Sequence, residues 1–198
     1  MQKLIKTLIS GSILISVCAC GALSPSPTAS YVDPNSVNNL TTNFTMTDLQ
    51  MVSQSMADSL ISSGRINKCK TYTVSKVMNK TDQYIDTATI TQSIVNKLGN
   101  SNAVKSRYVI SSDEMQNQTD ELDRQNQSGL YNSNTTAKIG NMKGAQCRID
   151  GFVNSITSYN NATKTQLVQY QYNMKLINVE EGEMVWSNEK PLSKMKQY

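Results

Sequence analysis

The chain has 198 residues, of which 38% are hydrophobic and 17% charged, with a formal net charge of +4 and no histidine. That length gives one domain plus a tether, and the apolar content is enough for a single core. The missing histidine removes the usual general base, the usual zinc ligand and every Ser-His or Cys-His nucleophile pair. So small a positive charge does not by itself point to nucleic acid.

Lys3 and Lys6 precede an apolar run from Leu8 to Val17. Ten such residues are too few for a spanning helix, which takes about 20, so the pattern predicts a secretory signal. The stretch "VCAC" at 17–20 resembles the bacterial lipoprotein signal. Ala19 is the small residue before the acceptor Cys20, whereas bulky Val17 makes Cys18 a poor acceptor. A CxC metal site would need further soft ligands. A buried helix would not carry two lysines and then a Ser/Pro-rich flank.

The expectation is a signal peptide over 1–19 and a mature chain of 179 residues beginning at an acylated Cys20, with net charge +2. Each acyl CH₂ buried in a bilayer adds about 0.8 kcal/mol, and several chains anchor stably. Gly21, in place of the Asp that retains enterobacterial lipoproteins at the inner membrane, favours the outer membrane. Residues 20–46 are expected to be lipid anchor and flexible tether, because 21–46 carries Pro, Ser and Asn without a steady period. Fully extended, that stretch reaches at most about 85 Å.

A globular domain is expected over 47–198. Thr47 and Gln50 form a capping-box pattern for a helix over 48–62, with Leu49, Val52, Met56 and Leu60 at helical spacing and Gly64 as its stop. "CKTYTVSKVMNKT" at 69–81 reads as one strand. Asp86 caps a helix over 87–98 carrying Ile90, Ile94, Val95 and Leu98. A short strand near 107–110 leads to a helix from Ser111, capped by Ser111 and Glu114. Thr136 begins another short helix that stops near Gly144, and "QCRIDGFVNSITSY" is a strand.

In "TQLVQYQYNMKLINV" Val168, Tyr170, Tyr172, Met174 and Leu176 alternate with polar residues, the mark of a half-buried strand. "EEG" at 180–182 predicts a tight turn with Gly182 at positive φ, and "EMVWS" returns as the partner strand. The tail "KPLSKMKQY" is basic and loosely patterned. The βαβα alternation predicts parallel pairing and the last strands a meander. The result is an α/β (α+β) domain, a mixed sheet with helices packed on it in three layers.

Two cysteines remain in the mature chain, Cys69 and Cys147. An oxidising compartment permits one disulfide between them, and two inert buried thiols are the alternative. The acids cluster as Asp113/Glu114, Asp120/Glu121/Asp123 and Glu180/Glu181/Glu183, where solvated faces are the default. No Gly-rich phosphate loop is present. Asn79-Lys80-Thr81 ends a strand with Asx-type hydrogen bonds, Trp186 fills the core or a rim pocket, and Tyr170 and Tyr172 are core with hydroxyls partnered at its edge. Lys190, Lys194 and Lys196 are expected to be solvated.

Four stretches together carry a resemblance. They are "YVDP" at 31–34 with "FTMTDLQMVSQSMADSLI", "VSKVMNKT" at 74–81, "TAKIGNMKGAQCRIDGFV" at 136–153 and "GEMVWSNEKPLSK" at 182–194. In this order, and with the lipoprotein signal, the chain resembles the LpoB family of peptidoglycan-synthase activator lipoproteins, whose fold is that of the N-terminal domain of TolB. The resemblance implies a lipid-anchored protein on the periplasmic face of the outer membrane. It would reach a bifunctional penicillin-binding protein, stimulate its polymerisation and cross-linking, and carry no catalysis and no cofactor of its own. The tether is shorter than in enterobacterial members, and no motif assigns partner-binding residues. A structural lipoprotein of a secretion or surface apparatus, like the curli-assembly lipoproteins, is the rival reading; such pores need long membrane-crossing hairpins. An enzyme would need a convergent acid/base set, and none is visible.

Overall fold

The computed structural model describes residues 41–198. The expected signal peptide over 1–19, the acceptor Cys20 and the tether up to residue 40 lie outside the described residues.

Helix α1 (Met46–Ser63) begins two residues before the predicted 48–62, and its cap is Thr45 and Asp48 rather than Thr47 and Gln50. Thr45 Oγ1 accepts from the Asp48 N–H at 3.4 Å, and Asp48 Oδ2 accepts from the Thr45 N–H at 2.7 Å. This box satisfies two otherwise orphaned donors. The earlier start also pulls in Phe44, which packs on the core and meets Tyr170 edge-on at 5.3 Å. Residues 41–46, assigned to the tether from sequence, therefore belong to the domain. The stripe of Leu49, Val52, Met56 and Leu60 is buried as expected. A 3₁₀ turn, Arg65–Lys68, follows.

The single strand expected over 69–81 is two, β1 (Thr71–Val74) and β2 (Met78–Lys80). Both pair in parallel with β4 (Cys147–Asn160). Val74 lies opposite Ile149 and Met78 opposite Phe152, so four steps on one side match three on the other. One residue is extra, as in a β-bulge. The displaced Val77 stays buried, and its N–H donates to Thr91 Oγ1 at 3.0 Å in the next helix. As expected, β2 runs out through Asn79, whose Oδ1 accepts from the Thr81 N–H at 2.9 Å.

Helix α2 (Thr87–Gly99) is capped by Asp86, as expected, and buries Ile90, Ile94 and Leu98. The strand expected over 107–110 is only β3 (Arg107–Tyr108), parallel to β1. Helix α3 (Met115–Gln127) starts one turn later than Ser111 and has no side-chain cap; Glu114 still accepts from the Ser111 N–H at 3.3 Å. No helix forms after Thr136. That stretch turns back on α3, where the Ala137 N–H donates to Gln125 Oε1 and Asn126 Nδ2 donates to the Ala137 carbonyl, both at 2.9 Å. From 112 to 146 no residue is buried, so a short helix there would have no core to pack on.

Strands β4, β5 (Thr165–Asn178) and β6 (Met184–Gln197) form an antiparallel meander. Gly182 in the second hairpin has φ +67°, as expected. The tail is not loose, since β6 runs through all of "KPLSKMKQ". A second bulge sets Leu176 opposite Trp186 and Ile177 opposite Met184, leaving Val185 extra. Val185 and Trp186 both pack against the core, half-buried.

The sheet order is β3-β1-β4-β5-β6, with β2 also beside β4. One face carries Tyr72, Ile149, Val153, Tyr172, Met174 and Leu176 and joins α1 and α2 in a single core. Residues of the opposite face are exposed or half-buried. The domain is thus a mixed α/β sheet with helices packed on it, in two layers rather than three, because α3 buries no residue.

Gly151 in β4 permits one close approach. A Cβ there would stand 2.6 Å from Tyr172 Oη and 3.2 Å from the Asn173 carbonyl oxygen. Gly151→Ala should therefore lower stability by about 1–3 kcal/mol, the usual cost of overpacking, read as a fall in urea midpoint. Tyr172 Oη has no hydrogen-bond partner among the described residues. Adding Tyr172→Phe should thus recover part of the loss at little cost of its own. An alanine variant as stable as wild type contradicts this packing.

Candidate functional site

The structure brings the two cysteines together as a disulfide, with Cα atoms 5.9 Å apart and both residues buried. The bridge ties the end of the 3₁₀ turn to the start of β4. This disulfide end of the sheet is also where β1 and β3 begin and where β5 turns into β6.

Hydrogen bonds stitch two basic segments together there. Asn67 Nδ2 donates to the Ala103 carbonyl at 2.9 Å, and the Lys105 N–H donates to Asn67 Oδ1 at 2.8 Å. Ser106 Oγ bonds the carbonyls of Ile66 and Cys69 at 2.8 and 2.6 Å, and the Arg107 N–H donates to the Lys70 carbonyl at 3.0 Å. The result places Arg65, Lys68, Lys70, Lys105 and Arg107 on one rim, all exposed. None of the five has an ion pair or side-chain hydrogen bond among the described residues. Arg65 and Lys68 also line a pocket of about 430 Å³ together with Cys69, Cys147, Trp186, Glu181 and Glu183. Sequence reasoning missed this cluster. Its halves lie some 35 residues apart and meet through the β1–β3 pairing and the Asn67 and Ser106 hydrogen bonds, so no local spacing signals it.

Toward the opposite end, at the level of Val168 and Tyr170 in β5, the lead-in segment is clasped. Tyr170 Oη donates to the Thr42 carbonyl at 2.9 Å and to Gln83 Oε1 at 2.8 Å. Lys194, expected to be solvated, is instead half-buried with its Nζ against Asp48 Oδ2 and 2.7 Å from the Asn43 carbonyl. Lys196 remains exposed, with its ammonium over the Tyr198 ring.

The acidic clusters do not converge. Glu114 accepts from Tyr108 Oη at 2.7 Å, Glu121 binds Arg124 through both oxygens, and Asp120 accepts from Gln116 at 2.7 Å. Glu180, Glu181 and Glu183 sit exposed in the β5–β6 turn. The described residues hold no group of three or more His, Cys, Asp or Glu side chains placed for a metal, and no helix among them is long and apolar enough to cross a membrane. The open face of the sheet carries a groove of about 550 Å³ in which the Lys80 ammonium lies 4.3 Å from the Phe152 ring centre.

Burial raises the pKa of Tyr72, Tyr172 and Tyr170 above the ordinary tyrosine value. Burial also raises that of Tyr108, with the Glu114 hydrogen bond and charge adding to it. A raised folded pKa means the folded state holds these protons longer than the unfolded chain. Stability from this source is therefore complete below the unfolded value of about 10 and falls as pH climbs past it. Urea midpoints should drop steadily as pH rises from about 10 upward, and Tyr172→Phe should flatten the drop. An equal slope in that variant would remove Tyr172 from the account.

The family model for the peptidoglycan-synthase activator LpoB matches residues 48–192. No curated protein sequence matches the chain. Among solved structures, the chain is similar to the LpoB C-terminal domain from Escherichia coli at 18% identity, covering 73% of this chain and 98% of that one with a TM-score of 0.43. The LpoB C-terminal domain from Salmonella enterica gives 18%, 73%, 98% and 0.42. The NMR structure of E. coli LpoB gives 16% identity, covering 98% and 97% with a TM-score of 0.41. The family match runs from the first turn of α1 into the second half of β6, and on it the chain belongs to the LpoB family of peptidoglycan-synthase activators.

Proposed function

We propose that the protein is a lipoprotein acylated on Cys20, held on the periplasmic face of the outer membrane, that binds a bifunctional penicillin-binding protein and activates it. The family match over 48–192 carries this reading. The lipoprotein signal at 17–20 supplies the anchor. Activation requires contacts that differ between two states of the synthase, since equal contacts with both shift nothing.

Reach bears on the reading. With 41–46 packed on the domain, residues 21–40 would span at most about 66 Å fully extended. From Val168, paired with Lys194, to Asn178 at the disulfide end, β5 adds about 33 Å. The lipid end and the disulfide end of the domain then lie at most about 100 Å apart.

The test adds the purified full-length chain to the cognate synthase and follows glycan polymerisation. A several-fold rise is expected. Unchanged polymerisation together with no detectable binding ends this reading. Separately, radiolabelled palmitate should enter the wild-type chain and not Cys20→Ala, which should leave the membrane fraction.

A further inference from the structure

We propose that the disulfide end of the sheet is the surface that meets the synthase, and that its basic rim recognises an acidic patch on that protein. The inference rests on the function proposed above and names the contact within it.

Position is the first argument. The domain's lead-in residues 42–44 are clasped at the level of Val168 and Tyr170, in the half of β5 that leads from the Lys164 turn, and Thr41 lies beside Ser193–Lys196 there. The basic rim is at the disulfide end, ten residues along β5 from the Val168–Lys194 pair to Asn178, about 33 Å away. An anchor joined through Thr41 leaves the disulfide end as the part of the domain free to point away from the outer membrane.

Charge is the second argument. Arg65, Lys68, Lys70, Lys105 and Arg107 lie on one rim, exposed and without ion pairs among the described residues. Gathering like charges costs the folded state through repulsion. Even so, the backbone and Asn67 and Ser106 side-chain bonds hold both segments in place. The arrangement is preorganised to meet negative charge.

Chemistry selects a protein over a polymer or a membrane. Glu181 and Glu183 line the same pocket as Arg65 and Lys68. A uniformly anionic glycan or lipid surface would be repelled by those carboxylates. A protein surface of mixed charge can set acids against the rim and a base against the hairpin. Charges of this kind steer encounter and fix orientation, and their effect weakens as salt shortens the screening length.

The test compares the full-length chain with Lys70→Glu/Lys105→Glu/Arg107→Glu and with a control at the tethered end, Lys164→Glu/Lys196→Glu. Binding to the cognate synthase is measured between about 0.05 and 0.3 M salt. Wild type should weaken as salt rises. The rim variant should lose about tenfold or more at low salt and most of its salt dependence, and the control should stay within about twofold. The rim's stitching uses backbone groups at Lys105 and Arg107, so the glutamine triple variant keeps it and decides the matter should the glutamate variant fold poorly. Wild type that binds and activates while both rim variants bind equally well overturns the surface and leaves the proposed function standing. Wild type that neither binds nor activates overturns both. Loss confined to binding of phosphatidylglycerol vesicles or isolated cell-wall sacculi, with synthase affinity intact, also overturns it.

Discussion

Asp48→Ala is expected to destabilise the domain by about 2–4 kcal/mol, because it leaves the largely covered Lys194 ammonium without its counter-charge. The two side chains are 7% and 11% exposed, and Asp48 Oδ2 serves three donors at once: the Thr45 N–H, the Thr45 hydroxyl and Lys194 Nζ. Losing it also removes the reciprocal half of the α1 capping box, leaving the Thr45 N–H without its carboxylate acceptor. The pair is not favourable simply because it is charged. Two apolar or neutral groups of similar shape often replace a buried pair without loss. Asp48→Asn/Lys194→Met keeps an acceptor for Thr45 and removes the ammonium, so it should return to within about 2 kcal/mol of wild type. A double-mutant cycle in urea should show coupling above about 2 kcal/mol; simple additivity would refute the interaction. The same variants should expose residues 41–45 to protease, since Lys194 holds the Asn43 carbonyl and the neighbouring Tyr170 holds that of Thr42. The clasp fixes where the tether meets the domain, so its loss alters reach as well as stability.

The sequence was legible where one buried face repeats at a fixed period. Leu49, Val52, Met56 and Leu60 mark α1, and Val168 through Leu176 mark β5 without interruption. It misled where a tertiary contact replaces the periodic residue. The inward positions of late β6 include Lys190, Leu192 and Lys194, since they are paired with the inward Tyr172, Tyr170 and Val168. Two lysines there hide the alternation and make a strand look like a loose tail. The β1–β2 bulge is invisible for a related reason. Val77 keeps the apolar pattern while its N–H leaves the sheet for Thr91. The capping box failed by one frame: Thr45-x-x-Asp48 and Thr47-x-x-Gln50 both fit the pattern, and the contact of Phe44 with Tyr170 favours the earlier one. The interaction surface was the least legible part. The basic rim is made by pairing 65–70 with 103–107, a relation that no local spacing encodes.

Removing the disulfide, as Cys69→Ala/Cys147→Ala, is expected to cost about 2–5 kcal/mol, which for a domain of this size lowers Tm by roughly 5–15 °C. The bridge closes a loop of 78 residues, and restricting that loop in the unfolded chain accounts for about 4–5 kcal/mol in the chain-entropy picture. Both sulfurs are buried between the 3₁₀ turn and β4, so reductant should act slowly on the folded protein and fully on the unfolded one. Wild type unfolded in urea with dithiothreitol should match the double alanine variant, and that variant should ignore dithiothreitol. Two titratable thiols in unreduced, unfolded wild type would show that the bridge does not form. The consequence extends past stability, because the bridge pins Arg65–Lys68 against the start of β4 and so holds half of the basic rim. At a temperature where the alanine variant remains folded, its affinity for the synthase should therefore fall while the clasp around Asp48 and Lys194, at the other end of the sheet, stays intact. A variant that loses stability but binds with unchanged affinity and salt dependence would separate the rim's geometry from the bridge, leaving the hydrogen bonds of Asn67 and Ser106 sufficient to hold it.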